Sequence, residues 1–330
     1  MAADESGATG ENLFDNQMIM AHATVKIDDY SALPIVNDLR NHAGILQPPE
    51  LKFSQFNKIR SAHVLAEAFA PGGPLAGRVN IIVADKRYVA VAKIIDLLIE
   101  EWAYRRHIDL YRDGSARRMA QTFFRDGPRA LGDLWDPLIM AFIGLTRKTQ
   151  RRGIKEDVES FYQRLEEARW RCHRRSVEEV LKLLLETRSH AEEHAAALAQ
   201  DTYSAPALDP LTPLITDNIR HWYQICGPFK LLHDEHSLLD GQFVQKILGA
   251  LWIPHPSLKG LASKARVAIF ATGRSVDHPS IQLADLAAGA GRVVIEAHYG
   301  TKTQVAAILR ESFTPLISWG LLPDGSFWGR

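Results

Sequence analysis

The sequence predicts an α/β protein: a mixed sheet flanked by helices and interrupted by a long all-helical insertion. Three observations carry this. Short apolar, β-branched runs alternate with helix-period segments over residues 1–100. Strand signals then vanish from Glu101 to about Thr212. They return afterwards. The simplest arrangement is one α/β core made from residues 1–100 and 213–330, with residues 101–212 inserted as helices.

"MIMAHATVKI" (Met18–Ile27) follows the turn-rich "ESGATGENLFDN" and reads as the second strand of a hairpin. From Asp28 to Asn41 the period is helical. Ser31 is the expected cap, Pro34 falls in a first turn, and Ile35, Val36 and Leu39 form the apolar stripe. A helix over Phe56–Phe69, a strand over Val79–Ala84 and a helix from about Tyr88 follow. Within the insertion, helical periodicity is clearest over Glu156–Ala199, and "APALDPLTP" (Ala205–Pro213) reads as a Pro-rich linker. Beyond it come a short helix over Asp217–Cys226 and strands over Phe229–His233 and Arg266–Gly273. Pro279 suits the first turn of a late helix capped by His278 or Ser280.

The chain has 330 residues, 46% hydrophobic, enough for a substantial core. Its 39 basic and 39 acidic residues cancel, so only their distribution bears on partners. Cys172 and Cys226 form no disulfide framework, which fits a reducing cytosol. The start shows no basic segment leading into an apolar one, so no secretory signal is expected. The longest apolar run, Pro137–Leu145, is far short of the ~20 residues a membrane span needs. A cytoplasmic protein without membrane association is expected.

The opening "MAADESGATG" sets Asp4 and Glu5 beside turn residues. A solvated, frayed tail is the ordinary reading; the alternative is the first strand of a catalytic domain. Asp234–Glu235 ends a late strand, and Asp285 lies in the late helix three residues after Gln282, on the same face. Strand side chains alternate, so each acidic pair offers one carboxylate to a given face. Such a layout gathers three or four carboxylates from distant elements. Clustered carboxylates repel unless a cation neutralises them, and Mg²⁺ or Mn²⁺ takes oxygen ligands. Two such ions about 3.5–4 Å apart activate a water and stabilise the leaving oxygen in phosphodiester hydrolysis. His233 or His236 is placed to shuttle a proton.

Plainer readings stand beside these. One Asp-Glu pair alone is usually a surface feature. "HDEH" as half a zinc site lacks neighbouring Cys or His at accepted spacing. Asp285 sits in "SIQLADLAAGAG", small and apolar enough that a charge there must be paired, capping or metal-bound.

The combination "DESG", "HDE" and "QLADLAAG", in this order and spacing, resembles the domain of unknown function 3800 family of bacterial and phage proteins. That family looks like a divergent branch of the ribonuclease H-like superfamily. The resemblance covers roughly Met1–Glu100 and Asp217 to the C-terminus. It implies a ribonuclease H-like sheet with an essential Asp on the first strand, an acidic residue near the end of the fourth and another in a later helix. Carried over, these are Asp4, Asp234 or Glu235, and Asp285, with Glu5 part of the first motif. Gln282 would orient Asp285 or contact substrate. "ELKFSQ" (Glu50–Gln55) and "ADKR" resemble weaker family features, making Lys52 and Lys86 candidates for phosphate contacts, with solvated lysines as the plainer reading. The resemblance further implies a role in phage defence or mobile elements, with a partner protein. The insertion is long for the family.

Seventeen Lys and Arg stand against eleven Asp and Glu between Glu101 and Arg175, in "YRRHIDLYRDGSARR", "TRKTQRRG" and "RWRCHRR". Two readings are balanced: a nucleic-acid clamp, or helix faces paired with the insertion's own acids. The stripe Val177, Val180, Leu181, Leu184 and Leu185 is a homodimer seam or, more ordinarily, internal core. The expected activity is metal-dependent nuclease action on RNA or DNA; the competing class is a non-catalytic nucleic-acid- or protein-binding module.

Overall fold

Ala2–Ser6 (β1) and Ile19–Val25 (β2) form an antiparallel hairpin in the computed structural model, which describes residues 1–47, 49–147, 156–200, 207–253 and 261–323. After β2 come α1 (Asp29–Ala43), α2 (Ile59–Phe69) and β3 (Val79–Asp85), which pairs antiparallel with β2. A continuous helical run follows: α3 (Lys86–Ile94), a π-helical turn (Ile95–Glu100) and α4 (Glu101–Tyr104). Next are α5 (Ser115–Leu131), α6 (Trp135–Thr146), α7 (Val158–Arg171), α8 (Arg175–Leu185) and α9 (Arg188–Ala199). The chain returns through α10 (Leu211–Cys226), β4 (Lys230–Asp234), α11 (Gly241–Ala250) and β5 (Ile269–Gly273). It ends in α12 (Pro279–His298), α13 (Gln304–Phe313) and β6 (Ile317–Leu321).

The strand order is β5-β4-β1-β2-β3-β6. β4 lies parallel to β1 and to β5, and β6 parallel to β3, so the sheet is mixed and joins both ends of the chain. β1, β3, β4 and β5 all point the same way, which brings the loops that follow them to one end of the sheet.

Alternation along the strands makes two cores. On one face Ile19, Ala21, Ala23, Val25, Ile81 and Val83 pack under α12. α12 approaches closely because its residues are small. A Cβ on Gly289 would fall 2.2 Å from the Phe53 ring, and one on Gly291 would fall 2.8 Å from Ile81. The other face carries Met20, Ile82 and Ala84, whose core continues without a break into Ile95, Phe123, Phe142, Leu165 and Leu181. Residues 101–212 pack onto α3 and the π-helical turn, outside the α3 and α10 layer that covers this face of the sheet, and hold no strand among the described residues. The boundary at 100 falls inside the Lys86–Tyr104 run.

The stripe Val177, Val180, Leu181 and Leu184 is buried in this shared core, with Leu185 packed against it. The first helix is capped by Asp28, whose Oδ1 accepts from the Ser31 N–H at 2.8 Å, not by Ser31. Pro34 lies past the first turn, where its missing N–H forgoes one bond on the exposed side of α1. The "APALDPLTP" run is not a linker over its described part. Leu208 and Asp209 are buried, and Asp209 Oδ1 accepts from the Leu211 N–H where α10 begins. No helix among the described residues is long and apolar enough to cross a membrane.

Gly289→Ala should lower stability by about 1–3 kcal/mol through overpacking against Phe53. A denaturant melt matching wild type would show that the Phe53 segment yields without cost.

Candidate functional site

The end of the sheet reached by β1, β3, β4 and β5 is where the acidic residues lie. β1 is no frayed tail: Asp4 is only 6% exposed. Strand register assigns its faces. Asp4 pairs with Ala23, which packs under α12, whereas Glu5 pairs with His22 on the face toward α10. In the parallel pair Ala3 matches His233, so His233 shares Glu5's face and Asp234 shares Asp4's. Asp285 joins Asp4 and Asp234 from α12. The strand end thus divides its acids, with Asp4, Asp234 and Asp285 on one face and Glu5 across from them.

Each of these carboxyls titrates high. Burial raises Asp4 well above the carboxylate range, and the charges of Glu5, Asp285 and Asp234 add to it. Burial, then the charges of Asp234 and Asp209, push Glu5 up to about 8. Burial takes Asp285 to about 6 although the Phe53 N–H donates to its Oδ2 at 2.6 Å. Asp234 is raised mainly by burial, against the opposing N–H of Ser275 at 3.0 Å from Oδ1. Glu5 Oε2 is buried without a hydrogen-bond partner.

A crowd of this kind takes up protons or a cation. The donor set of Asp4, Asp234 and Asp285 suits a hard divalent cation: it is all oxygen and carries excess negative charge. Among the described residues, no three His, Cys, Asp or Glu side chains stand close enough as placed to enclose an ion. Ligation would draw these carboxylates together from their present positions.

Glu50 belongs to the same neighbourhood, although the sequence argument passed over it. Its carboxylate accepts from Ser275 Oγ, lies 3.2 Å from Lys52 Nζ, and adds charge against Asp234 and Asp285. The "ELKFSQ" stretch was the signal, read only for its lysine. Gln282, 4% exposed, holds this stretch in place. Its Oε1 accepts from the Leu51 N–H at 3.0 Å, and its Nε2 donates to Ser275 O at 2.8 Å. With both amide ends taken by main chain, Gln282 stitches two loops around Asp285 and does not face a substrate.

Three other expectations are corrected. Glu235 is exposed, with its N–H on Gly273 O, and alternation turns its side chain away from Asp234; Asp234 is the member of the pair that joins the cluster. Lys86 is neither solvated nor free for phosphate. It is fully buried, and its Nζ donates to both Asp15 oxygens at 2.8 and 2.9 Å and to Thr9 Oγ1 at 2.8 Å, locking the β1–β2 loop. His233 is 0% exposed, with Nδ1 2.9 Å from Asp234 O and Nε2 3.2 Å from His22 Nε2, and burial pulls it down to about 4. Both ring nitrogens face protein groups, Nε2 also lying 3.7 Å from Glu5 Oε2, and neither reaches solvent as placed.

His236, by contrast, is partly exposed. Its Nδ1 accepts from the Leu238 N–H, so the neutral ring carries its proton on Nε2, 3.8 Å from Glu5 Oε1. Lys52, its side chain 53% exposed, pairs with Glu50 beside the acids.

The cations of the helical layer are largely engaged. Arg105 pairs with Glu193, Arg125 and Arg174 with Asp126, Arg171 with Asp133 and Glu167, Arg175 with Glu179, and Arg188 with Glu159 and Glu192. For these residues the paired-face reading holds. Residues 148–153 of "TRKTQRRG" lie outside the described residues. A cavity of about 330 Å³ between α3, α5 and α6, lined by Phe14, Phe124 and Trp135, opens on the face away from Asp4 and contains none of the clustered acids.

Because these carboxyls have folded pKa values above the unfolded range of about 4, the native state holds more protons between that range and about pH 8. Stability of the metal-free protein should therefore fall as pH rises through this window. Added Mn²⁺ should restore it at the alkaline end. Melting temperatures across the window, with and without Mn²⁺, check this, and a rising metal-free curve would contradict it. Lys86→Met should cost about 3 kcal/mol by stranding Asp15, measurable by urea unfolding. Comparison with known protein families, curated proteins and solved structures returned no match.

Proposed function

We propose that this chain is a metal-dependent phosphodiester hydrolase of ribonuclease H-like build, cleaving RNA or DNA. One observation carries the reading. An aspartate on the first strand, one at the end of the fourth and one in a later helix share a face at one end of the sheet, and each is destabilised as an anion. That is the order of acids the sequence resemblance implies.

Asp4, Asp234 and Asp285 would hold Mg²⁺ or Mn²⁺, with Glu50 beside them. Such an ion supplies activation of a water and charge stabilisation of the leaving oxygen. The chain's own residues do the rest. The Phe53 N–H fixes Oδ2 of Asp285, so its other oxygen is the one left for a ligand. Gln282 keeps Glu50 and Phe53 against α12. Lys52 presents its ammonium group to a phosphate at the mouth of the cluster. His236 holds a proton on Nε2 at a partly exposed position, suited to exchange with solvent.

The test is hydrolysis of single- and double-stranded RNA and DNA with Mg²⁺ or Mn²⁺. Asp4→Asn and Asp285→Asn should each lower the rate by roughly two orders of magnitude or more. Full activity in either variant would overturn the proposal. Salt-dependent nucleic-acid binding with neither Mn²⁺ uptake nor cleavage would favour a non-catalytic binding module instead.

A further inference from the structure

A chain of buried hydrogen bonds runs from α10 through the sheet to the strand end. Its hub is Asn218, 0% exposed. The Asn218 Nδ2 lies 2.9 Å from His22 O and 2.7 Å from His22 Nδ1. A carbonyl can only accept, so the atom facing His22 O must be the amide nitrogen. The amide oxygen is thereby turned to Thr24 Oγ1 at 2.9 Å and Asn80 Nδ2 at 2.7 Å, both donors. Thr24 Oγ1 also accepts from Trp222 Nε1 at 2.6 Å, and of the two acceptors for its own proton Asn218 Oδ1 is nearer than Asn80 O at 3.4 Å. All four hydrogen-bonding positions of the carboxamide are filled.

The orientation propagates. With Nδ1 of His22 accepting, its proton sits on Nε2, which points at His233 Nε2 3.2 Å away. That nitrogen must then accept, and the His233 proton sits on Nδ1, facing Asp234 O at 2.9 Å. The far end demands the same result independently, because Asp234 O can only accept. The two rings lie with planes 25° apart.

We propose that Asn218 is a positioning residue. Its carboxamide selects one tautomer of His22, through it one tautomer of His233, and so pins the Asp234 main chain at the candidate site. Neither imidazole can reverse its tautomer alone, since that would oppose two N–H groups or two lone pairs. The effect on activity rests on the hydrolase reading of the site; the tautomers do not.

Long-range ¹H–¹⁵N spectra of the full-length protein at neutral pH test it. Wild type should show neutral His22 protonated on Nε2 and neutral His233 protonated on Nδ1. His233 protonated on Nε2 would overturn the proposal, and this measurement needs no variant. Asn218→Asp replaces the donors with an acceptor and should move the His22 proton to Nδ1. Asn218→Leu should release His22 into a mixture. Mn²⁺ affinity should fall roughly tenfold in both. An altered tautomer with unchanged Mn²⁺ affinity would overturn the link to Asp234. Wild-type tautomers as stated in a protein that binds no Mn²⁺ and cleaves nothing would sink the hydrolase reading while leaving the tautomer assignment standing.

Discussion

The burial of several carboxylates at one end of the sheet, compounded by their mutual repulsion, is the constraint around which the site is arranged. Four acids from β1, β4 and α12 are taken out of water together, and each is thereby made a poor anion. The surrounding structure resists their separation. Main-chain N–H groups of Phe53 and Ser275 each hold one oxygen, and Gln282 ties the segments carrying those N–H groups to α12. A fold that keeps such a crowd intact gives up stability locally.

The two faces of the sheet divide the labour. The α12 face carries Asp4, Asp234 and Asp285 over a core of small residues that lets the helix sit close. The α10 face carries a polar seam from Trp222 to His233, in which each partner's donor meets an acceptor. Buried polar chains of this kind specify geometry more than they add stability. Here the seam ends on the main chain of an acid that belongs to the other face.

What was legible in the sequence follows from how local each signal is. Asp4, Asp234 and Asp285 could be placed because a strand end and a helix start are local patterns, and a carboxylate amid small apolar residues has few explanations. The choice between Asp234 and Glu235 needed the strand's register, which depends on a partner more than 200 residues away. Glu50 lies in "ELKFSQ", but that stretch shows neither a strand end nor a helix start to say where its carboxylate goes. His22 was invisible because one His in an apolar strand looks like any other core histidine. Asn218 gives no helix-face signal that sets it apart from a surface amide. β6 was missed because "ISWGL" is too short, and too broken by glycine, to show alternation. Lys86 was misread as a surface charge, because nothing in "ADKR" shows that Asp15 closes over it.

The unbroken helical run from Lys86 to Tyr104 leaves no joint between β3 and the outer layer at that crossing. Its π-helical turn at Ile95–Glu100 is continuous with the helices on either side, so no loop interrupts the passage. At the first turn of α3, Lys86 grips the β1–β2 loop, and that loop springs directly from Glu5 and Ser6. The helical layer is thus joined, through one helix without an intervening loop, to the residue that anchors the loop behind the first acid.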